Sequence, residues 1–199
     1  MIVLIDNYDS FTFNVYDYLM KFTDIRVFRN TDKLETLKTL NLQGLVISPG
    51  PSHPANSLLS LDAITYFKGK VPILGICLGM QAIAYEAGNT IRRAKRIMHG
   101  KVDRIINHGG VLLSGMGETF PAVRYHSLVV ENNDNFHVCA VSESDGEIMA
   151  IENIDLKLFG LQFHPESYAT DNGMTFIKNF VEVCNGSNCK DQEQNRFDL

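Results

Sequence analysis

Short apolar runs alternate with longer amphipathic stretches over the first half of the chain. The apolar runs have the length of strands and fall at Ile2–Asp6, 25–28, 44–48 and 71–76. Between them, apolar positions recur at helical spacing, at 10–21, 33–40, 57–67 and 78–87. This order of strands and helices predicts an α/β fold with an open sheet that is mostly parallel and covered by helices on both faces.

The pattern changes after Thr90, where strand-length segments follow one another without long helices between them. They lie at 101–107, 111–113, 122–125, 137–141 and 148–152 and predict a small antiparallel region. A last amphipathic helix at Gly173–Cys184 closes the domain, which we expect to span residues 1–184. Residues 185–199 are polar and lack periodicity, so we expect them to form a frayed C-terminal tail.

Composition narrows the functional class. A chain of 199 residues with 45% hydrophobic content predicts one globular domain with a full core. We expect no membrane span, because no apolar stretch reaches ~20 residues, and no signal peptide, because Met1–Ile5 lacks basic residues. A net charge of −5 without a basic face argues against nucleic acid as a partner. Four cysteines without CxxC spacing favour a reducing compartment, so we expect a cytoplasmic protein.

Cys77 follows the apolar run at 71–76, with Gly75 and Gly79 two positions away on either side. This pattern is typical of a nucleophile elbow, in which a strand ends abruptly, the nucleophile occupies a strained turn, and a helix begins directly behind it. The glycines leave room for the turn and the incoming substrate, and the helix N-terminus favours a thiolate. The motif alone leaves open a second interpretation, a small buried cysteine behind a core strand.

A second apolar run leads into His164, which is followed by Pro165 and Glu166. Proline favours an extended conformation at the preceding residue, and residues two apart in an extended segment project to one side. Glu166 is therefore expected to hold the His164 imidazole so that its other nitrogen faces a thiol. Because Cys77 and His164 both follow apolar strands, we expect them to meet at the carboxyl edge of the sheet, where α/β crevices lie.

Six short segments of the chain form a recognisable series. They are DNYDSFT at 6–12, SPGP at 48–51, GICLGMQ at 75–81, MHGK at 98–101, RYHSL at 124–128 and QFHPES at 162–167. In this order they resemble the motifs of the class I (triad) glutamine amidotransferases, and the resemblance covers residues 1 to about 183. Within that family, the chain is most similar to the small glutaminase subunits of anthranilate synthase and of aminodeoxychorismate (p-aminobenzoate) synthase.

The resemblance implies a role for each member of a Cys-His-Glu triad. Cys77 would attack the side-chain carboxamide of L-glutamine and form a thioester. His164 would protonate the departing ammonia and then activate water, and Glu166 would orient His164.

The resemblance also implies which residues bind the substrate. The oxyanion would be held by the backbone N–H of Leu78 and by the Gly50, Pro51 and Ser52 loop. Pro51 has no N–H, so Ser52 is the expected second donor. The residues expected to hold the amino-acid end of glutamine are Gln81, Ser127 and Leu128.

The implied partner is a synthase subunit that uses the ammonia to aminate chorismate, either component I of anthranilate synthase or component I of aminodeoxychorismate synthase. We expect no cofactor in this chain and Mg²⁺ in the partner. We also expect no metal site here, because no combination of residues has convincing metal-ligand spacing. The pathway stays open between tryptophan and folate synthesis, or both, because the chemistry on chorismate belongs to the partner. Two alternatives are a γ-glutamyl cysteine hydrolase and a non-catalytic binding subunit.

Two positions depart from the pattern of many family members. Many relatives have glycine in place of Ser52 and histidine in place of Met80. A side chain at position 52 is strained if φ is positive. We expect these departures to tune activity rather than abolish it.

Overall fold

The computed structural model describes residues 1–186, so the expected tail lies outside the described residues except for Asn185 and Gly186. The described strands are β1 (Ile2–Asp6), β2 (Ile25–Arg29), β3 (Gly44–Ile47), β4 (Ile73–Ile76), β5 (Thr90–Arg93), β6 (Lys101–Asn107), β7 (Thr119–Arg124), β8 (Leu128–Glu131), β9 (His137–Ser142), β10 (Ile148–Asn153) and β11 (Leu158–Leu161). The described α-helices are α1 (Thr12–Leu19), α2 (Leu34–Lys38), α3 (Leu58–Phe67), α4 (Leu78–Glu86) and α5 (Gly173–Cys184).

Nine of these strands form one sheet in the order β2-β1-β3-β4-β11-β10-β9-β6-β7. The strands from β2 to β11 in that order are parallel to one another, and those from β11 to β7 pair antiparallel. Strands β5 and β8 form a separate antiparallel pair. The predicted α/β class is confirmed. The structure adds that most of the antiparallel strands continue the parallel sheet past β11.

Helices cover both faces of the parallel half, as predicted. In β1, Ile2 and Leu4 belong to the core cluster that includes residues of α1 and α5, while Val3 and Ile5 belong to the cluster that includes residues of α2 and α3. Successive residues of a strand point to opposite faces, so a strand covered on both sides must be apolar at every position. Strands β1, β3, β4 and β11 are parallel neighbours in the sheet. Their carboxyl ends therefore lie together at one edge of it.

Two details differ from the expected elements. The predicted strand at 111–113 is a 3₁₀ turn, because a three-residue apolar run carries no periodicity that separates a strand from a turn. The turn is held by the Asn179 amide, which donates to the carbonyl oxygens of Leu112 and Ser114 at 2.9 Å. Strands β5 and β8 were not expected. Within residues 1–186, no helix combines the length and the apolar character needed to cross a bilayer.

Candidate active site

Cys77 is the single residue between strand β4 and helix α4. Its backbone has φ 53° and ψ −103°, a conformation that costs a non-glycine residue about 1–3 kcal/mol. Two hydrogen bonds maintain it: the Cys77 N–H donates to the carbonyl of Leu161 at 2.7 Å, and the Gln81 N–H donates to the carbonyl of Cys77 at 3.1 Å. The thiol is thus presented at the carboxyl edge of the sheet by a strained turn, as the elbow motif predicts.

The two flanking glycines are required by the protein backbone. A Cβ at Gly75 would lie 2.3 Å from the carbonyl oxygen of Gly79, and a Cβ at Gly79 would lie 2.3 Å from the carbonyl oxygen of Ile47. Both distances are far below van der Waals contact. The glycines therefore let the first turn of α4 approach β3 and β4 closely, which is a different reason from room for the substrate.

His164 and Glu166 are both buried just beyond β11, and His164 Nδ1 donates to Glu166 Oε1 at 2.6 Å. We expected this contact to form within an extended segment. The contact is present, but the prediction of an extended segment was wrong. Residues 165 and 166 lie in a turn, in which the Ser167 N–H reaches the carbonyl of His164 at 3.3 Å. The Thr170 hydroxyl also donates to that carbonyl at 2.6 Å, so the turn holds the imidazole firmly.

The electrostatic surroundings of His164 favour its charged form. Burial opposes the charge, but the negative charges of Cys77 and Glu166 outweigh it and raise the pKa of His164 well above its ordinary value. Nε2 is buried without a partner of ordinary hydrogen-bond geometry among residues 1–186, which leaves it available to exchange a proton with Cys77. The rings of Phe11 and Tyr125, with centroids 5.7 and 5.2 Å from the imidazole centroid, restrict its position. We call Cys77, His164 and Glu166 the elbow triad.

The residues expected to bind glutamine and its oxyanion lie together with Cys77 around one cleft of about 160 Å³. Tyr125 and His126 complete the lining. The expected binding residues in that lining are Gly50, Pro51, Ser52, Leu78, Gln81, Ser127 and Leu128.

The two departures from the family pattern have different surroundings. Ser52 does have a positive φ, 78°, and its exposed hydroxyl accepts a hydrogen bond from the Asn56 amide at 3.0 Å. Met80 is fully buried in the core. It packs so closely on β11 that a Cβ at Gly160 would lie 2.7 Å from Met80 Cγ. The departure at position 80 therefore lies away from the cleft lining, and the departure at position 52 forms part of it.

Gln162 is a site residue that sequence reasoning missed. Its fully buried amide donates to Cys77 Sγ at 3.6 Å, and its Oε1 accepts from Gln81 Nε2 at 3.0 Å. Gln81 Nε2 also donates to the carbonyl of Leu128 at 3.0 Å. The two amides thus connect the nucleophile to the Ser127–Leu128 wall of the cleft. The available signal was an uncharged polar residue at the end of an apolar run, two positions before His164.

A buried ionic network supports that wall. Arg124 is fully buried and forms ion pairs with Asp103 and Asp145. Its Nε donates to His126 Nε2 at 3.0 Å, so His126 Nδ1 carries the proton and donates to the carbonyl of Leu128 at 3.0 Å. Burial and the charge of Arg124 lower the pKa of His126 to about 4, which keeps the ring neutral at pH 7.

Comparisons with known proteins identify the family of this chain. Residues 3–184 match the family described as "Glutamine amidotransferase class-I". The chain is 42% identical over 187 residues to the aminodeoxychorismate/anthranilate synthase component 2 of Bacillus subtilis, covering 92% of this chain and 96% of that protein. It is also 41% identical to the bifunctional protein TrpGD of Thermotoga maritima. That match covers the whole of this chain but only 35% of TrpGD.

A solved structure shares the fold. A crystal structure of a candidate GMP synthase subunit from Thermoplasma acidophilum superposes with a TM-score of 0.81 over 98% of this chain and 96% of that chain, at 24% identity. That likeness concerns the fold alone. The family match and the identities above 40% confirm the resemblance of the motifs, and the chain belongs to the class-I glutamine amidotransferase family.

Proposed function

We propose that this chain is a glutaminase subunit that hydrolyses L-glutamine through the elbow triad and delivers the ammonia to a synthase that aminates chorismate. The observation that carries the proposal is the arrangement at the elbow. A strained cysteine faces a buried imidazole whose other nitrogen is held by a carboxylate at 2.6 Å. A thiol, a base and an orienting group in that order constitute an activated nucleophile.

In the first half of the reaction, the Cys77 thiolate attacks the carboxamide carbon of glutamine. Negative charge then develops on the carboxamide oxygen, and the N–H groups of Leu78 and Ser52 are the proposed donors to it. Leu78 begins helix α4, where backbone N–H groups have no partner within the helix. Protonated His164 gives its proton to the nitrogen, the C–N bond breaks, and ammonia leaves a glutamyl thioester on Cys77.

In the second half, neutral His164 takes a proton from water, and the resulting hydroxide attacks the thioester carbonyl carbon. The C–S bond breaks, the new carboxyl group loses its proton to solvent, glutamate is released, and the thiolate and imidazolium are restored. Glu166 keeps the imidazole in place through both steps. This chemistry requires no cofactor in this chain.

The cleft favours glutamine over a longer substrate. Its volume of about 160 Å³ is small beside the roughly 300–1,000 Å³ of sites for larger ligands. Gln81 and the backbone of Ser127 and Leu128 are the proposed contacts of the amino-acid end. A γ-glutamyl peptide hydrolase would need space for a second residue, so this alternative is not favoured.

The relatives' names support the proposed partner. The Bacillus protein is named as component 2 of both aminodeoxychorismate and anthranilate synthase, and this chain spans 96% of it. We therefore propose a component I synthase, carrying Mg²⁺, as the partner and chorismate as the acceptor of ammonia. The described cysteines Cys77, Cys139 and Cys184 are free thiols, as suits the reducing cytoplasm in which we place the reaction.

The test is product formation from chorismate and glutamine after mixing this chain with each component I from the same genome. Anthranilate alone assigns the chain to tryptophan synthesis, aminodeoxychorismate alone to folate synthesis, and both products make it a shared subunit. Hydrolysis of glutamine without either product retains the triad mechanism and rejects chorismate as the destination. Absence of glutamine hydrolysis with every partner rejects the proposed function.

A further inference from the structure

A second group of metal-binding side chain types lies on the hairpin formed by β9 and β10, away from the elbow. His137 pairs with Glu152 across the two strands, and Cys139 lies two positions along β9. One donor atom from each of the three side chains lies within 4.8 Å of the other two. We call His137, Cys139 and Glu152 the hairpin cluster.

The backbone brings these side chains together through an irregularity. Val138 and Ala140 pair with the consecutive residues Ile151 and Ala150 of β10, so Cys139 is the extra residue of a bulge. Bulges re-aim side chains and are frequent beside functional sites. A Cβ at the neighbouring Gly110, where φ is 138°, would lie 2.6 Å from Cys139 Sγ, so only glycine fits against the thiol.

The buried carboxylate of Glu152 has no positively charged partner among the described residues. Cys139 and Glu152 are buried, and neither forms an ion pair within residues 1–186. One oxygen of Glu152 accepts the Val111 N–H at 2.9 Å, which fixes the carboxylate beside the thiol.

Solvent can reach two members of the cluster, His137 and Glu152. A cavity of about 700 Å³ opens beside it, and its lining includes His108 together with His137 and Glu152. His137 is exposed, so its imidazole can rotate without disturbing the core. An ion could therefore enter from the cavity and keep one coordination position open to water or to His108.

We propose that the hairpin cluster binds Zn²⁺ through His137, Cys139 and Glu152. Imidazole, thiolate and carboxylate are zinc ligands at about 2.0–2.3 Å, which places tetrahedral donors about 3.3–3.8 Å apart. The observed separations of up to 4.8 Å need a closing movement of about 1 Å, which the exposed His137 can supply. The thiolate and imidazole donors select zinc over Mg²⁺ and Ca²⁺. Binding replaces the S–H bond of Cys139 with an S–Zn bond and releases the proton to solvent.

The experiment is a zinc titration of the full-length Cys77→Ser variant, in which the elbow thiol cannot contribute. Competition with a chromophoric zinc chelator measures the stoichiometry and affinity. Co²⁺ serves as a second probe, because a thiolate ligand gives a charge-transfer absorption band. The matched control is Cys77→Ser/Cys184→Ser, which removes a half-buried thiol that lies outside the cluster.

We expect one Zn²⁺ per chain in Cys77→Ser and in the control, and a thiolate-to-Co²⁺ band in both. Adding His137→Ala or Cys139→Ser should weaken zinc binding at least about tenfold, and Cys139→Ser should remove the band. If the Cys139→Ser variant does not fold, the exposed His137→Ala variant still decides the question. The proposal is overturned if Cys77→Ser binds no zinc, or if zinc binding is unchanged by His137→Ala.

Discussion

Residues 1–186 contain two groups that each consist of one cysteine, one histidine and one glutamate, and the two groups differ in the order of their contacts. In the elbow triad, the thiol faces the imidazole, and the imidazole is held by the carboxylate. In the hairpin cluster, the carboxylate lies directly beside the thiol, and the histidine is exposed. The first order raises the pKa of the imidazole, and the second raises the pKa of the thiol. The same three residue types thus favour a protonated imidazole in one place and a protonated thiol in the other.

The backbone explains this difference. Cys77 occupies a left-handed turn at the carboxyl end of a parallel strand, where the ends of neighbouring strands bring His164 from beyond β11. Cys139 lies within an antiparallel strand, where its neighbours are fixed by the pairing of β9 with β10. Only the strand end offers a helix N-terminus and a cleft together, so activation of a nucleophile is expected there.

The largest expected effect is on activity. Cys77→Ala should reduce glutamine-dependent amination at least about 1,000-fold while synthesis from free ammonium in the complex is retained, because only the nucleophile is removed. Cys139→Ser should stay within about threefold of wild type in both assays, because the hairpin cluster takes no part in the reaction. Retained glutaminase activity in Cys77→Ala would overturn the mechanism. A large loss of activity in folded Cys139→Ser would mean that the hairpin cluster does take part in the reaction.

The second prediction concerns alkylation by iodoacetamide at pH 7, which requires a thiolate. Cys77 should be modified at least about 100-fold faster than Cys139, whose pKa is raised by burial and Glu152. Peptide mapping by mass spectrometry at short times gives both rates in one sample. Equal rates would show that the order of contacts does not control reactivity.

The sequence predicted the elbow triad far better than the hairpin cluster. Cys77 and His164 each end an apolar run and belong to local motifs, so their meeting at the sheet edge follows from the topology of parallel strands. Gln162 was missed because a neutral amide in an apolar run carries no chemical signature of its own. The hairpin cluster was missed because its ligands approach one another only through the β9–β10 register and its bulge. The 3₁₀ turn at Val111–Leu113 was missed because a run that short has no period.

The third prediction concerns the pH dependence of activity. It distinguishes Glu166 of the elbow triad from Glu152 of the hairpin cluster. Glu166→Gln should lower glutaminase activity about 10- to 100-fold, less than His164→Ala, because it disturbs orientation and removes one charge while the base remains. The pKa of His164 should fall, so the alkaline limb of kcat/KM should move to lower pH.

The same change has a consequence for stability. Protonated His164 stabilises the fold fully below its unfolded pKa of 6.5, and this contribution is lost as pH rises through the raised folded value. In Glu166→Gln that loss should occur at lower pH, as thermal unfolding would show. Glu152→Gln is the matched control and should leave the alkaline limb in place. A profile unchanged in Glu166→Gln would mean that Glu166 does not act on His164.

The smallest effect is expected at Gln162, which gives Cys77 a neutral amide where Cys139 has a carboxylate. Gln162→Met removes one hydrogen bond to the thiol and one to Gln81, and hydrogen bonds of this kind contribute about 0.5–1.5 kcal/mol each. We therefore expect kcat to fall up to about tenfold, with a higher KM for glutamine because Gln81 is less firmly held. Gln162→Glu should lower kcat further than Gln162→Met, because it places beside Cys77 the same group that disfavours ionisation of Cys139. Equal losses in the two folded variants would show that the amide acts by filling space rather than through its charge distribution.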